Sequence, residues 1–343
     1  MNLPLTTTAL VAFGLINVLL IMASLMVYFE RRVAAGMQNR IGPNRVGPWG
    51  ILQPFADVAK LVLKEDVRPE AANPFIHSLA PIIMVTIAMS TVAVVPLARG
   101  IVIADVNVAI LVFLALTSLS VYGVTLGGWS SNSKYSLLGG LRSSAQMISY
   151  ELPMGLAVVS VVLISQSLSL MEIVDAQSEW LGFGWYALKN PLGFIIFTVC
   201  AFAETNRAPF DLPEAEQELV GGYHTEYSGM KFGMFFLAEY VNMFMASVVI
   251  TTLFLGGYVI PFQPLFADWL VANGFGAALI ALQMATLLLK SVAMVFLFVW
   301  VRWTLPRFKY NQLMDLGWNR LLPLSLANVV LVAVGVYVVQ LLV

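Results

Sequence analysis

Charge is scarce in this chain. Of its 343 residues only 11% are Asp, Glu, Lys or Arg, and 59% are hydrophobic; a soluble domain carries about 25% and about 45–50%. That scarcity excludes an ordinary soluble fold and points to a membrane-embedded chain, as does the mean hydropathy of +0.85. Cysteine is nearly absent. Cys200 stands alone, which excludes an intrachain disulfide and an iron–sulfur cluster built by this chain by itself. His77 and His224 are the only histidines, too few for a multi-histidine metal site unless carboxylates join them. A net charge of −1 leaves no bulk attraction to nucleic acid. No internal repeat is visible, which counts against an inverted-repeat transporter. No base precedes the first apolar run, so a cleaved secretory signal is not expected.

The few charges are swept into clusters with long uncharged runs between them. A membrane helix needs about 20 predominantly apolar residues. Eight spans are expected, at about 3–29, 76–98, 108–128, 151–171, 190–207, 236–258, 276–301 and 321–342. The fold class is an all-α polytopic membrane protein, one membrane domain over 1–343. The uncharged run at 190–203 is short and reads as a span with an acid, Glu204, at its end. Fewer, longer helices with re-entrant loops are the alternative. Arg99 and Lys189 are the only bases on one face, and Lys290 lies within a span. The other fifteen of the eighteen bases fall in loops at about 30–75, 129–150, 208–235 and 302–320. The positive-inside rule then puts those loops in the cytoplasm or matrix and both termini on the periplasmic or intermembrane side.

The charged loops carry the candidate chemistry. Glu30-Arg31-Arg32 closes the first span. Arg32 reads as a headgroup anchor, but the membrane does not require an acid at Glu30. A turn-rich stretch, Arg40-Ile41-Gly42-Pro43-Asn44-Arg45-Val46-Gly47-Pro48, follows. Gly50 to Glu65 then reads as an amphipathic helix in the headgroup plane. Ile51, Phe55, Val58 and Val62 lie on one face, Asp57, Lys60 and Lys64 on another. With Glu30, Arg31, Arg40 and Asp57 at its entrance, that helix suits an amphiphile with a polar head and an apolar tail; a merely anchoring helix fits the spacing equally well.

Glu151 opens the fourth span, where a negative charge favours a helix N-terminus and is also a functional candidate. Between residues 204 and 239 stand seven acids, Glu204, Asp211, Glu214, Glu216, Glu218, Glu226 and Glu239, against Arg207 and Lys231. A solvated face is the bland reading. However, Glu204 and Glu239 continue into the flanking spans, and crowded carboxylates repel and raise one another's pKa. Such a group can hold and pass protons. Asp211-Leu212-Pro213-Glu214 resembles a capping box for a short helix ending at Gly221-Gly222. Arg302 and Arg307 are placed to balance the acids. Lys290 reads either as half of a structural ion pair with Glu239 or as a relay group.

Several stretches together resemble one family: Glu30-Arg31-Arg32, Gln38-Asn39-Arg40-Ile41-Gly42-Pro43-Asn44, Leu52-Gln53-Pro54-Phe55-Ala56-Asp57, Gly128-Trp129-Ser130-Ser131-Asn132-Ser133-Lys134-Tyr135, and the run from Glu204-Thr205-Asn206-Arg207-Ala208-Pro209-Phe210-Asp211 through Val220. From about residue 20 to 325 the chain is similar to the H-type membrane subunit of proton-pumping NADH:quinone oxidoreductase, respiratory complex I, called subunit 1 in mitochondria. The resemblance implies an all-α subunit of a translocase in a bacterial inner or mitochondrial inner membrane. It implies no catalytic group or redox centre in this chain alone, quinone as substrate, and FMN and iron–sulfur clusters in partner subunits. The implied partners are the peripheral-arm quinone-site subunits, small membrane subunits and antiporter-like subunits, besides membrane lipid. It further implies that Glu30, Arg31, Arg40 and Asp57 belong to the quinone chamber, and that Glu151, Glu204, Asp211, Glu214, Glu216, Glu218, Glu226 and Glu239 belong to a carboxylate relay. Two positions depart from the family pattern: Arg32 stands where Lys is usual, and Asn311 where Asp is usual. A hydrogenase-type complex and a free-standing proton-coupled transporter are the competing functions. The long first loop argues against the former, and the gathering of most of the charge at one face against the latter, which needs substrate groups at mid-membrane.

Overall fold

The computed structural model describes residues 5–211 and 221–342. Among the described residues the regular elements are helices, and the one β contact is an isolated bridge between Ala98 and Ile101. In chain order the helices are α1 (Leu5–Met37), α2 (Gln53–Leu63), α3 (Pro74–Ser90), α4 (Ala109–Ser130), α5 (Lys134–Ser165), α6 (Leu170–Ala176), α7 (Pro191–Glu204), α8 (Gly229–Phe254), α9 (Gln263–Ala272), α10 (Gly276–Thr304), α11 (Tyr310–Asp315) and α12 (Leu322–Leu342).

Local chemistry sets many of the ends. Asn73 caps α3 by accepting from the Phe75 and Ile76 amides, with Pro74 in the first turn. Asn190 and Pro191 do the same for α7, the Asn190 side chain accepting from the Gly193 amide. α5 stops at Gln166, whose φ of 55° is left-handed. α4 and α5 cross where Gly128 meets Ser136 and Gly140; a Cβ on Gly128 would lie 2.5 Å from the Ser136 carbonyl oxygen. Tyr150, Phe197, Phe235, Phe254 and Phe298 fill the interior between α5, α7, α8 and α10.

Among the described residues seven helices are long and apolar enough to cross a membrane: 12–37, 74–94, 109–130, 134–165, 229–254, 276–304 and 310–342. The eighth expected span, 190–207, contains only the 14-residue helix α7. At 1.5 Å per residue it reaches about 21 Å, short of a hydrocarbon core about 30 Å thick. Its proline start and the turn at Thr205-Asn206 cut it, and α6 with the turns up to Lys189 precede it. The expected loop at 129–150 is mostly helix, because α5 begins at Lys134 and runs 32 residues. Its Gly139 and Gly140, read as loop residues, are buried packing surface instead. The expected loop at 302–320 is likewise largely helical: α11 passes through a π-helical turn, Leu316–Leu321, directly into α12. α1 continues to Met37, past the expected end at 29.

The amphipathic segment forms as α2 and carries Phe55, Val58 and Val62 exposed. Glu30, Arg207, Asp211, Glu239, Arg302 and Arg307 converge at one end of the bundle through direct ion pairs. The opposite end holds the Lys189–Glu179 and Arg99–Asp175 pairs.

Candidate functional site

A cavity of about 270 Å³ opens between α1, α2 and α8. Its polar edge is Arg31 and Asp57, and its apolar walls include Val27, Val58, Phe232 and Phe236. Arg31 Nη1 donates to Asp57 Oδ2 at 2.6 Å, and Gln53 Nε2 donates to Asp57 Oδ1 at 3.0 Å. Gln53 and Asp57 are one helical turn apart on α2, so Gln53 steadies the carboxylate that Arg31 of α1 holds. The edge thus offers charge-paired polar groups, the rest a surface for hydrocarbon. Two of the four residues expected here do line the cavity. Arg40 does not; it is exposed, its Nε donating to Gln38 Oε1 at 2.7 Å.

Glu30 also faces elsewhere. It is 5% exposed and each carboxylate oxygen meets a different guanidinium. Arg207 Nη1 donates to Oε2 and Arg302 Nη1 to Oε1, both at 2.5 Å. Arg207, itself 3% exposed, also brings Nε within 2.6 Å of Glu239 Oε1. A few residues further on, Arg307 Nη2 donates to Asp211 Oδ2 at 2.6 Å. Three carboxylates therefore meet three guanidiniums, drawn from α1, α8, α10 and the segments after α7 and α10. Buried ions are tolerated when paired this way. Burial pushes the Asp211 carboxyl up to about 6 against the pull of Arg307, with Glu239 adding to the push. Tyr240 joins the two regions: it lines the cavity, and its ring lies 4.2 Å from the Arg207 guanidinium carbon.

Glu204 ends α7 beside a second, small cavity of about 30 Å³, shared with Thr91, Ser120, Thr205 and Asn242. That is room for about one water. Glu204 Oε2 is buried without a hydrogen-bond partner among the described residues, and Glu151 of α5 lies within electrostatic range. Glu226 is half-buried in the turn before α8. Glu214, Glu216 and Glu218 lie outside the described residues, as does most of the expected capping box.

Lys290 is at the other end of α8, far from Glu239, and the expected ion pair between them is not formed. Its ammonium donates to the carbonyls of Leu255 (2.8 Å), Val259 (3.0 Å) and Gly257 (3.1 Å). An ammonium has three donors, and here all three are used. It therefore ties down the turn that follows α8.

Sequence reasoning missed Arg207 as the hub. The signal was one of only two bases among seven acids, which reads as minor until the fold buries it. It also assigned no role to Gln146, Asn206 and Tyr240, which carry no charge.

The NADH dehydrogenase family model matches residues 10–333. The chain is 65% identical over 337 residues to NADH-quinone oxidoreductase subunit 8 of Rhodothermus marinus, covering 98% of this chain and 99% of that one. It is 64% identical to the H-type NADH-quinone oxidoreductase subunit of Salinibacter ruber, over 96% of each chain. The H-type subunit of the Rhodospirillum centenum enzyme is 49% identical, over 92% of this chain and 89% of that one.

Proposed function

This chain belongs to the NADH dehydrogenase family and is a membrane subunit of an NADH-quinone oxidoreductase, and from that premise we propose that its α1–α2–α8 cavity receives the quinone and that the adjoining charge lattice couples quinone reduction to proton movement. The observation that carries this reading is Tyr240, which touches both the cavity and Arg207. The Arg31–Asp57 edge suits a quinone head and the Phe232–Phe236 wall its tail. Reducing a quinone to a quinol takes two electrons and two protons. The electrons come from FMN and iron–sulfur clusters in partner subunits, and this chain orients the head and manages charge. A change of charge in the cavity is felt by Arg207, which divides its hydrogen-bonding face between Glu30 and Glu239. Asp211, Glu204 and Glu151 then form the route by which protons answer, leading toward small membrane and antiporter-like subunits, and Glu214, Glu216, Glu218 and Glu226 belong to the same relay. Arg40, on the exposed loop, faces the peripheral-arm subunits. Lys290 fits a structural tie better than a relay. The charged end faces the cytoplasm or matrix, and both termini face the periplasm or intermembrane space.

Asp57→Asn tests the cavity. In the assembled complex it should slow quinone reduction by roughly tenfold, the loss of one charge-assisted hydrogen bond. NADH oxidation by a hydrophilic artificial acceptor should be unchanged, because that acceptor takes electrons upstream. Equal loss of both activities would sink the assignment.

A further inference from the structure

The link between α7, which ends at Glu204, and the acidic segment is a turn, residues 205–211, that does not continue the helix. The carbonyls that flank it need donors beyond those of the turn itself. Gln146 of α5 supplies them. It is fully buried, and its Nε2 lies 2.8 Å from the Ala203 carbonyl oxygen, 2.8 Å from the Phe210 carbonyl oxygen and 3.2 Å from Asn206 Oδ1. A carboxamide nitrogen has two hydrogens in one plane. The two shortest contacts use both, and they join points seven residues apart. Ser143, one turn earlier on α5, donates to the same Asn206 oxygen at 3.4 Å, and Asn206 itself has a left-handed φ of 51°. Glu204 and Asp211 each directly follow a clamped carbonyl in the chain.

We propose that Gln146 is a positioning residue: by tying the Ala203 and Phe210 carbonyls to α5 it holds Glu204 and Asp211 at the fixed separation that coupling requires. The proposal rests on the function argued above. Its mechanism is specific to the two donors. Leucine at 146 would fill the same space, leave the Phe210 carbonyl unpaired and leave the Ala203 carbonyl only the 3.3 Å bond from the Asn206 amide. A glutamate would be worse while ionised, since it turns an acceptor on three acceptors, and better once protonated, when it regains one donor.

The test is Gln146→Glu in the assembled complex. Quinone reductase rate and vesicle acidification are measured from about pH 8 to about pH 6 and divided by the wild-type values at each pH. That ratio cancels the titration of Glu151, Glu204 and Asp211, and the charges of Arg142 and Arg307, which both proteins share. The expected ratio is about one-tenth at the alkaline end, rising severalfold as the new carboxyl protonates. Gln146→Leu should be low at every pH. A Gln146→Glu ratio flat across the range, whether near one or low, overturns the proposal. If Gln146→Glu does not assemble, Gln146→His is read the same way, because imidazole also gains a donor as pH falls; failure of both to assemble reduces Gln146 to a packing role and equally overturns it. A wild-type complex with no quinone reduction would defeat the functional reading instead, and the artificial-acceptor rate shows whether electrons still enter.

Discussion

At the scale of single residues, pairing decides what each charge does. Arg207 binds Glu30 and Glu239 at once and stacks on Tyr240. Arg207→Gln leaves the buried Glu30 and the half-buried Glu239 short of a partner, and breaking buried pairs costs about 3–5 kcal/mol. The amount of assembled complex on native gels should fall severalfold, and Arg207→Lys should not restore it, because one ammonium cannot reproduce a guanidinium fork. Full assembly of Arg207→Gln would mean that Arg302 alone sustains Glu30. Asp211 gives a pH prediction with a definite sign. Its carboxyl is raised from 3.8 to about 6, so the native state binds the proton more tightly than the unfolded chain. Its stabilising contribution is full below about pH 4 and lost as pH rises through about 6. Asp211→Asn cannot titrate. The melting temperature of the wild-type complex should therefore fall relative to this variant between about pH 5 and about pH 7. A difference that stays constant over that range would place the titration elsewhere.

At the scale of elements, the ends of helices matter more than their middles. Lys290 gives all three donors to the turn that closes α8. Lys290→Met should loosen that turn, so that a cysteine at Val259 becomes reactive while proton pumping per quinone reduced is preserved. Loss of pumping with Val259 still shielded would restore a relay role. α5 is the second case. Gly139 packs so tightly that a Cβ would lie 2.7 Å from the Tyr223 backbone nitrogen. Gly139→Ala has to push α5 from the turn before α8, an overpacking of about 1–3 kcal/mol. The complex should lose several degrees of melting temperature; no change would show that the turn yields freely. The glycines at 139 and 140 looked like loop residues because their composition carries no trace of the neighbour that makes them useful inside a helix.

At the scale of the molecule, charge sorts to the two ends of the bundle, and that sorting predicts orientation. Cysteines at Asn44 and Asn132, both exposed, should react from the cytoplasmic or matrix side, and those at Asn107 and Ser178 from the other. Labelling of Asn132→Cys from outside sealed vesicles would refute this. The acidic segment is tested at the same scale. Glu214→Gln, Glu216→Gln and Glu218→Gln combined should leave assembly intact and lower quinone reduction and acidification together. Retention of both would make the run a solvated face.

By itself the sequence determined the environment, the helical class, the sorting of charge between two faces and, through its long ordered motifs, the family. These follow from composition and from local order, which any neighbourhood preserves. The short α7, the helical start of α5 and the separate fates of Glu30 and Arg31 were decided by tertiary structure. Adjacent residues on α1 point to different neighbours, so one enters an arginine lattice and the other edges a cavity. Glu30 and Arg207 are separated by 177 positions, and Gln146 reaches carbonyls 57 and 64 positions away. Nothing in local sequence encodes such meetings. They arise because burial makes an unpaired charge or carbonyl costly, and the fold that survives is the one in which each finds its partner.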